Sequence, residues 1–141
     1  MVLHVANNYL TQTNTLTGSE HAMVGDDEDT VAAWNRARDG FRGALANGDL
    51  SKSLTTPMGP MPAEMFIGRI MAMDTLVHTW DLARAVGGDE HLDQDAVAHA
   101  YEGLKPMDAM IRMPGIFGTK IASAEGADTQ TQFLNFIGRA V

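Results

Sequence analysis

The chain has 141 residues and no cysteine, so disulfides, thiolate nucleophiles and cysteine-ligated metals are excluded, and any bound metal must be held by His, Asp or Glu. Its net charge of −8, from 18 acidic against 10 basic residues, argues against a nucleic-acid partner; the one loose basic cluster, Arg36, Arg38 and Arg42, is interrupted by Asp39. An apolar fraction of 45% with no uninterrupted apolar run near ~20 residues describes one globular domain over 1–141 with no membrane span.

Taken in chain order, residues 2–16 read as a helix, because Val2, Val5, Ala6, Tyr9, Leu10, Thr13 and Leu16 return at helical spacing. The opening Met1-Val2-Leu3-His4 has no basic leader before an apolar block, so a cytoplasmic location is expected. Thr17-Gly18-Ser19 ends this helix. Asp26 to Asp29 form an acidic loop suited to the start of a second helix, which carries Val31, Trp34, Ala37, Phe41, Ala44 and Leu45 and stops at Asn47-Gly48. Residues 51–62 are too rich in proline for a helix and predict a short extended segment and turn, at most a small β-hairpin.

Pro62 is placed to open the longest helix, over 62–86, closed by Gly87-Gly88. A fourth helix is predicted over 94–112, kinked at Pro106. Pro114 to Gly118 read as a loop, 119–123 as extended, and 127–140 as a last helix with Phe133, Leu134, Phe136 and Ile137. The class is mainly α, an antiparallel bundle with decorations.

The chemistry concentrates in the long helix. At 100° per residue, Ile67, Met71, Asp74, His78, Leu82 and Ala85 share one strip, beside a second apolar strip of Phe66, Ile70, Met73, Val77 and Trp80. Gly68, Ala72, Thr75, Thr79 and Ala83 fall on the opposite side and suit solvent. Asp74 and His78 are therefore expected to point inwards, where unpaired polar groups cost several kcal/mol. Mutual pairing is the plain explanation. The other is a metal, since an i, i+4 His and carboxylate can share one divalent ion. A third ligand then has to come from His4, His21, His91 or His99. His21 and His91 sit in loop-like surroundings, and His99 follows Val97 and Ala98 in the fourth helix. His4 shares a polar stripe with Asn7, Asn8 and Thr11, which is either a solvated face or the wall of a polar pocket.

The run Leu76-Val77-His78-Thr79-Trp80-Asp81-Leu82-Ala83-Arg84-Ala85 resembles the LVHGWDLARA signature of actinobacterial metal-binding proteins of the mycothiol-dependent maleylpyruvate isomerase type, which belong to the DinB/YfiT-like helical bundles. Thr55 to Pro62 is similar to the hairpin before that helix, and Val2-Leu3-His4-Val5-Ala6-Asn7-Asn8 to the helix that supplies the first metal-binding histidine. Phe117-Gly118 and Phe133 to Arg139 resemble the C-terminal part.

What the resemblance implies is an up-and-down bundle with a short β-hairpin before its longest helix, and metal ligands His4, Asp74 and His78. Zn²⁺ is the first choice, and Ni²⁺ or Fe²⁺ would be accepted by the same donors. Mycothiol is the implied thiol cofactor, in a transferase or isomerase acting on a small electrophile. The alternatives are a non-catalytic metal-binding or stress-related protein and a metal-free helical domain. Asp81 reads first as a solvated helix charge and alternatively as a residue that orients a ligand from behind the centre; Trp80 reads first as core, and alternatively lines an anionic substrate pocket with Arg84. The family carries a further helix before its first histidine, whereas this chain begins three residues ahead of His4. Either the sequence is truncated at this point or another subunit fills the groove that the missing helix leaves, and a homo-oligomer is the expectation.

Overall fold

A computed structural model describes residues 1–56 and 59–141. The chain is mainly helical, in the order α1 (Val2–Thr17), α2 (Thr30–Asn47), β1 (Ser53–Thr56), β2 (Gly59–Pro62), α3 (Ala63–Phe66), α4 (Ala72–Val86), α5 (Gln94–Leu104), α6 (Asp108–Ile111) and α7 (Thr129–Phe136). It divides into two compact units, Met1–His78 and Thr79–Val141, with the boundary inside α4. Among the described residues, no helix is long and apolar enough to cross a membrane.

In the first unit α1 and α2 bury facing apolar stripes. Ala6, Leu10, Val24, Ala33 and Ala37 form one cluster, and Leu16, Phe41, Ala44, Leu54, Ala63 and Met71 another. Tyr9 joins them, its ring 5.3 Å from Trp34 and 4.6 Å from Phe41. Asp29 caps α2 by accepting the Ala32 N–H at 2.7 Å, which satisfies one of the orphan donors of the first turn. The loop between the helices is clamped by two asparagines of α1. Asn7 Oδ1 accepts the Val24 N–H, and Asn14 Oδ1 accepts the His21 N–H, each at 2.7 Å. Because 7 and 14 are two turns apart, both reach the loop from one face of the helix.

The hairpin forms as the proline-dense stretch predicts, antiparallel with Leu54 opposite Met61 and Thr56 opposite Gly59. The turn expected at Pro57-Met58 lies outside the described residues. Pro62 ends β2 and is the N-cap residue of α3, so the helix starts at Ala63, one residue after the expected start.

The long helical run has a widened, π-helical turn over Ile67–Met71 that the periodicity did not reveal. The Ile67 N–H is shared between Ala63 O and Glu64 O, and the Ala72 N–H reaches back five residues to Ile67 O. A turn of this kind holds one residue more than an α-turn, so the 100° count fails across it. The predicted inward strip is also corrected beyond that turn, where burial does not follow it to the end of the helix. Met71, Met73, Val77 and Trp80 are buried, whereas Leu82 is 40% exposed and Ala85 is also exposed. Asp74 and His78 are part-buried at the edge of the apolar face.

In the second unit, Val97, Leu104, Ile111, Phe133, Leu134, Phe136 and Ile137 are buried. Tyr101 of α5 stacks against Phe136 of α7 at 5.4 Å. Asp93 caps α5 on the Ala96 N–H. The helix tightens to a 3₁₀ turn at Lys105–Met107 before α6, a break at the predicted kink, because Pro106 has no N–H to donate. Residues 119–123 form no strand; the Ile121 N–H donates instead to Asn135 O. The last helix is shorter than expected, Thr129–Phe136. Gly138, at φ 85°, turns the chain out of the helix, and the Arg139 N–H caps Leu134 O at 2.8 Å.

Candidate metal centre

His4 lies in the first turn of α1, and Asp74 and His78 lie one turn apart in α4. The fold of the first unit brings them together: one ligand atom from each lies within 4.8 Å of the other two. Tyr9 fixes the approach of the two helices at this point, its hydroxyl 3.1 Å from Thr75 Oγ1. The Asp74 carboxylate sits between the histidines, Oδ2 at 3.7 Å from His4 Nε2 and Oδ1 at 3.5 Å from His78 Nε2. The imidazoles meet edge to face, with centroids 5.2 Å apart and planes at 80°. His78 and Asp74 are largely covered, while His4 is 54% exposed.

Both histidine–carboxylate separations exceed the ~2.7–3.2 Å of a normal N–H···O bond. Both contacts are nonetheless within ion-pair distance, so pairing of Asp74 with the histidines is the metal-free reading of the same cluster. Each histidine turns Nε2 toward the carboxylate, and each carboxylate oxygen faces a different ring.

Asn8 completes the cluster from α1, one turn after His4. Its Nδ2 is 3.1 Å from His4 Nε2 and donates to Asp74 Oδ2 at 3.3 Å. The polar stripe of α1 therefore has two tasks: Asn7 holds the loop and Asn8 links His4 to Asp74. The i, i+4 spacing of His4 and Asn8 was the sequence signal for Asn8. It was lost among the other polar residues of that helix.

The remaining histidines lie elsewhere. His21 belongs to the loop clamped by Asn14, His99 is exposed on α5, and His91 pairs with Asp89 at 2.6 Å. The Asp89 carboxylate, by its hydrogen bond and charge, raises His91 above the ordinary histidine pKa. Of the side chains expected around the centre, Asp81 takes Arg139 in a two-pronged ion pair, both contacts at 2.7 Å. Trp80 is buried, with the Arg84 guanidinium 4.8 Å from its ring centroid. Arg84 also donates to Ala140 O at 2.6 Å. Asp81 and Arg84 thus both hold the C-terminal segment.

A mainly helical chain with a hairpin ahead of its long helix, and a His/Asp/His cluster between α1 and α4, defines the class as DinB-like. The mycothiol maleylpyruvate isomerase N-terminal domain family matches residues 4–83, and the chain belongs to that family. The matched stretch begins at His4 and includes Asp74 and His78.

Two uncharacterized proteins, from two strains of Mycobacterium tuberculosis, are each 33% identical to the chain over 101 residues, covering 68% of this chain and 53% of their own length. The chain therefore spans about half the length of the curated relatives it matches. No solved structure matches it significantly.

Proposed function

We propose that this chain is a divalent-metal-binding domain of a thiol-dependent transferase or isomerase, with His4, Asp74 and His78 as ligands and mycothiol as the thiol. The observation that carries the reading is the convergence of three donor atoms from helices some seventy residues apart in sequence. Zinc bonds of ~2.0–2.1 Å at tetrahedral angles separate neighbouring ligand atoms by about 3.3 Å. The separations of 3.5 and 3.7 Å are close to that figure, and the half-exposed His4 has room to close the difference. Two neutral imidazoles and one carboxylate suit Zn²⁺ best and leave a position for an exchangeable ligand; Ni²⁺ and Fe²⁺ take the same donors.

A divalent cation held here lowers the pKa of a thiol that binds it, supplying thiolate at neutral pH. These 141 residues hold no cysteine, so the sulfur comes from outside them, which supports a small-molecule thiol in this reading. One carboxylate among the ligands leaves the divalent centre a net positive charge, which attracts an anionic thiolate. The protein's part is to hold the ligands and orient the thiol for attack on a small electrophile. In this reading the domain works in the cytoplasm. It works as a homo-oligomer, in keeping with large apolar side chains such as Met113, Ile116 and Val86 that are at least half exposed.

The test is metal analysis of protein purified without a histidine tag. Stoichiometric divalent metal is expected, abolished in His78→Ala and severely reduced in His4→Ala. Wild-type protein that carries no metal and takes up none of Zn²⁺, Ni²⁺ or Fe²⁺ would overturn the reading. Loss of metal without any change in thiol binding would separate the metal site from the thiol chemistry.

A further inference from the structure

Two helices each present a pair of polar side chains one turn apart to the same point: His4 and Asn8 from α1, Asp74 and His78 from α4. Three of the four are the proposed ligands. The fourth, Asn8, is not peripheral to them. Its Nδ2 is 3.1 Å from His4 Nε2 and 3.3 Å from Asp74 Oδ2, nearer to each than His4 and Asp74 are to one another at 3.7 Å. These distances straddle the ~3.3 Å edge of a tetrahedral ligand set.

The orientation of a carboxamide follows the sign of what it faces. Asp74 can only accept, so the amide nitrogen is turned inward; that nitrogen has only hydrogens to offer, so His4 Nε2 accepts as well. The lone pairs engaged by Asn8 are the ones a cation needs. A cation at this point reverses the electrostatic preference: N–H dipoles that pointed at the carboxylate would point at positive charge. Rotating the side-chain amide by about 180° exchanges Nδ2 for Oδ1 at nearly the same position, because the two ends of the group are nearly the same shape. Oδ1 then lies at ligand-edge distance from two of the other donors.

We propose that Asn8 is the fourth protein ligand of the centre, supplying Oδ1 after its carboxamide turns over. This rests on the metal centre proposed above. With its inward N–H₂ the same side chain holds His4 with Nε2 as acceptor and the proton on Nδ1, the tautomer that ligation through Nε2 requires. Of the four donors, a neutral amide oxygen is the weakest, so it is the one an incoming thiolate displaces. Asn8 thereby closes the coordination sphere when no thiol is bound and yields its place when one is.

The experiment is titration of the purified chain with Co²⁺, followed by calorimetry and by the visible absorption that reports coordination number, on wild type, Asn8→Ala, Asn8→Asp and His78→Ala. Circular dichroism confirms that the helices are retained in each. Asn8→Ala is expected to weaken binding about 10- to 100-fold, the usual range for groups that support a metal site, with a changed absorption spectrum. Asn8→Asp is the discriminating variant, since it keeps an oxygen and loses the N–H₂ donor. As a ligand position it binds Co²⁺ more tightly than wild type. As a position that merely donates hydrogen bonds to His4 and Asp74, it binds more weakly. The inference is overturned if Asn8→Ala binds as well as wild type or if Asn8→Asp binds less well. If His78→Ala loses Co²⁺ while both Asn8 variants match wild type, only the role of Asn8 falls. If wild type takes up no Co²⁺, the metal centre and the inference fall together.

Discussion

Replacing Gly138 by alanine tests the packing that ends the last helix. Gly138 adopts φ 85°, and a methyl group built on it would lie 2.9 Å from the backbone C and Cα of Gly118 and from Thr119 O. Those are backbone atoms, so no rotamer change relieves the contact. Gly87, at φ 68°, is the control: it also sits in the left-handed region, but a methyl there meets nothing within 4 Å. The left-handed conformation costs alanine about 1–2 kcal/mol at either position. At Gly138 alone, overpacking against fixed neighbours adds about 1–3 kcal/mol. The expected losses are therefore about 1–2 kcal/mol for Gly87→Ala and about 2–5 kcal/mol for Gly138→Ala. Urea unfolding followed by circular dichroism reads the difference, with unchanged slopes required for the comparison. Two variants within ~0.5 kcal/mol of each other would refute the close approach of Gly138 to residues 118–119.

Two further perturbations probe charge. Asp81→Asn removes the two-pronged partner of Arg139 at a site where both side chains are about one-fifth exposed, and is expected to cost about 1.5–3 kcal/mol in a thermal or urea melt; a loss under ~0.5 kcal/mol would mean that the pair is dispensable. NMR titration should place His91 above the ordinary ~6.5, and Asp89→Asn should lower it toward that value. Since His91 is raised, its share of stability is complete below the unfolded-state pKa and fades as pH rises through the folded one. Asp89 is lowered, chiefly by the His91 backbone N–H, so its share holds above the unfolded carboxylate pKa and fades as pH falls through the folded one. An unshifted His91 in wild type would refute the pairing.

Much of this was legible in the residues, for identifiable reasons. Strong apolar periodicity placed α1 and α2, and proline density placed the hairpin, because both signals are local. Asp74 and His78 stood out because a carboxylate and an imidazole on an apolar face are costly. Asn8 did not, since an asparagine on a polar stripe looks like ordinary surface until its neighbours are known. The π-helical turn breaks the angular count only between Ile67 and Met71; Leu82 keeps its place on the strip of Asp74 and His78 yet is 40% exposed, which angular position alone does not determine. The last helix was drawn too long because Phe133 to Ile137 continue an apolar pattern that the backbone abandons at Gly138. The tasks of Asp81 and Arg84 depend on residues far along the chain, Arg139 and Ala140, which no spacing rule connects to them.

The widened turn at Ile67–Met71 also bears on how relatives should be aligned. One residue more than an α-turn holds is absorbed there without rotating the helix that follows. A relative shorter by one residue at Gly68 or Arg69 can revert to a plain α-turn and still aim its carboxylate and histidine at the α1 histidine. The same gap placed between Ala72 and His78 would swing the imidazole about 100° around the axis and away from its partners. An alignment of this family is therefore constrained more tightly after Met71 than before it, and a gap at 67–71 is compatible with a preserved centre.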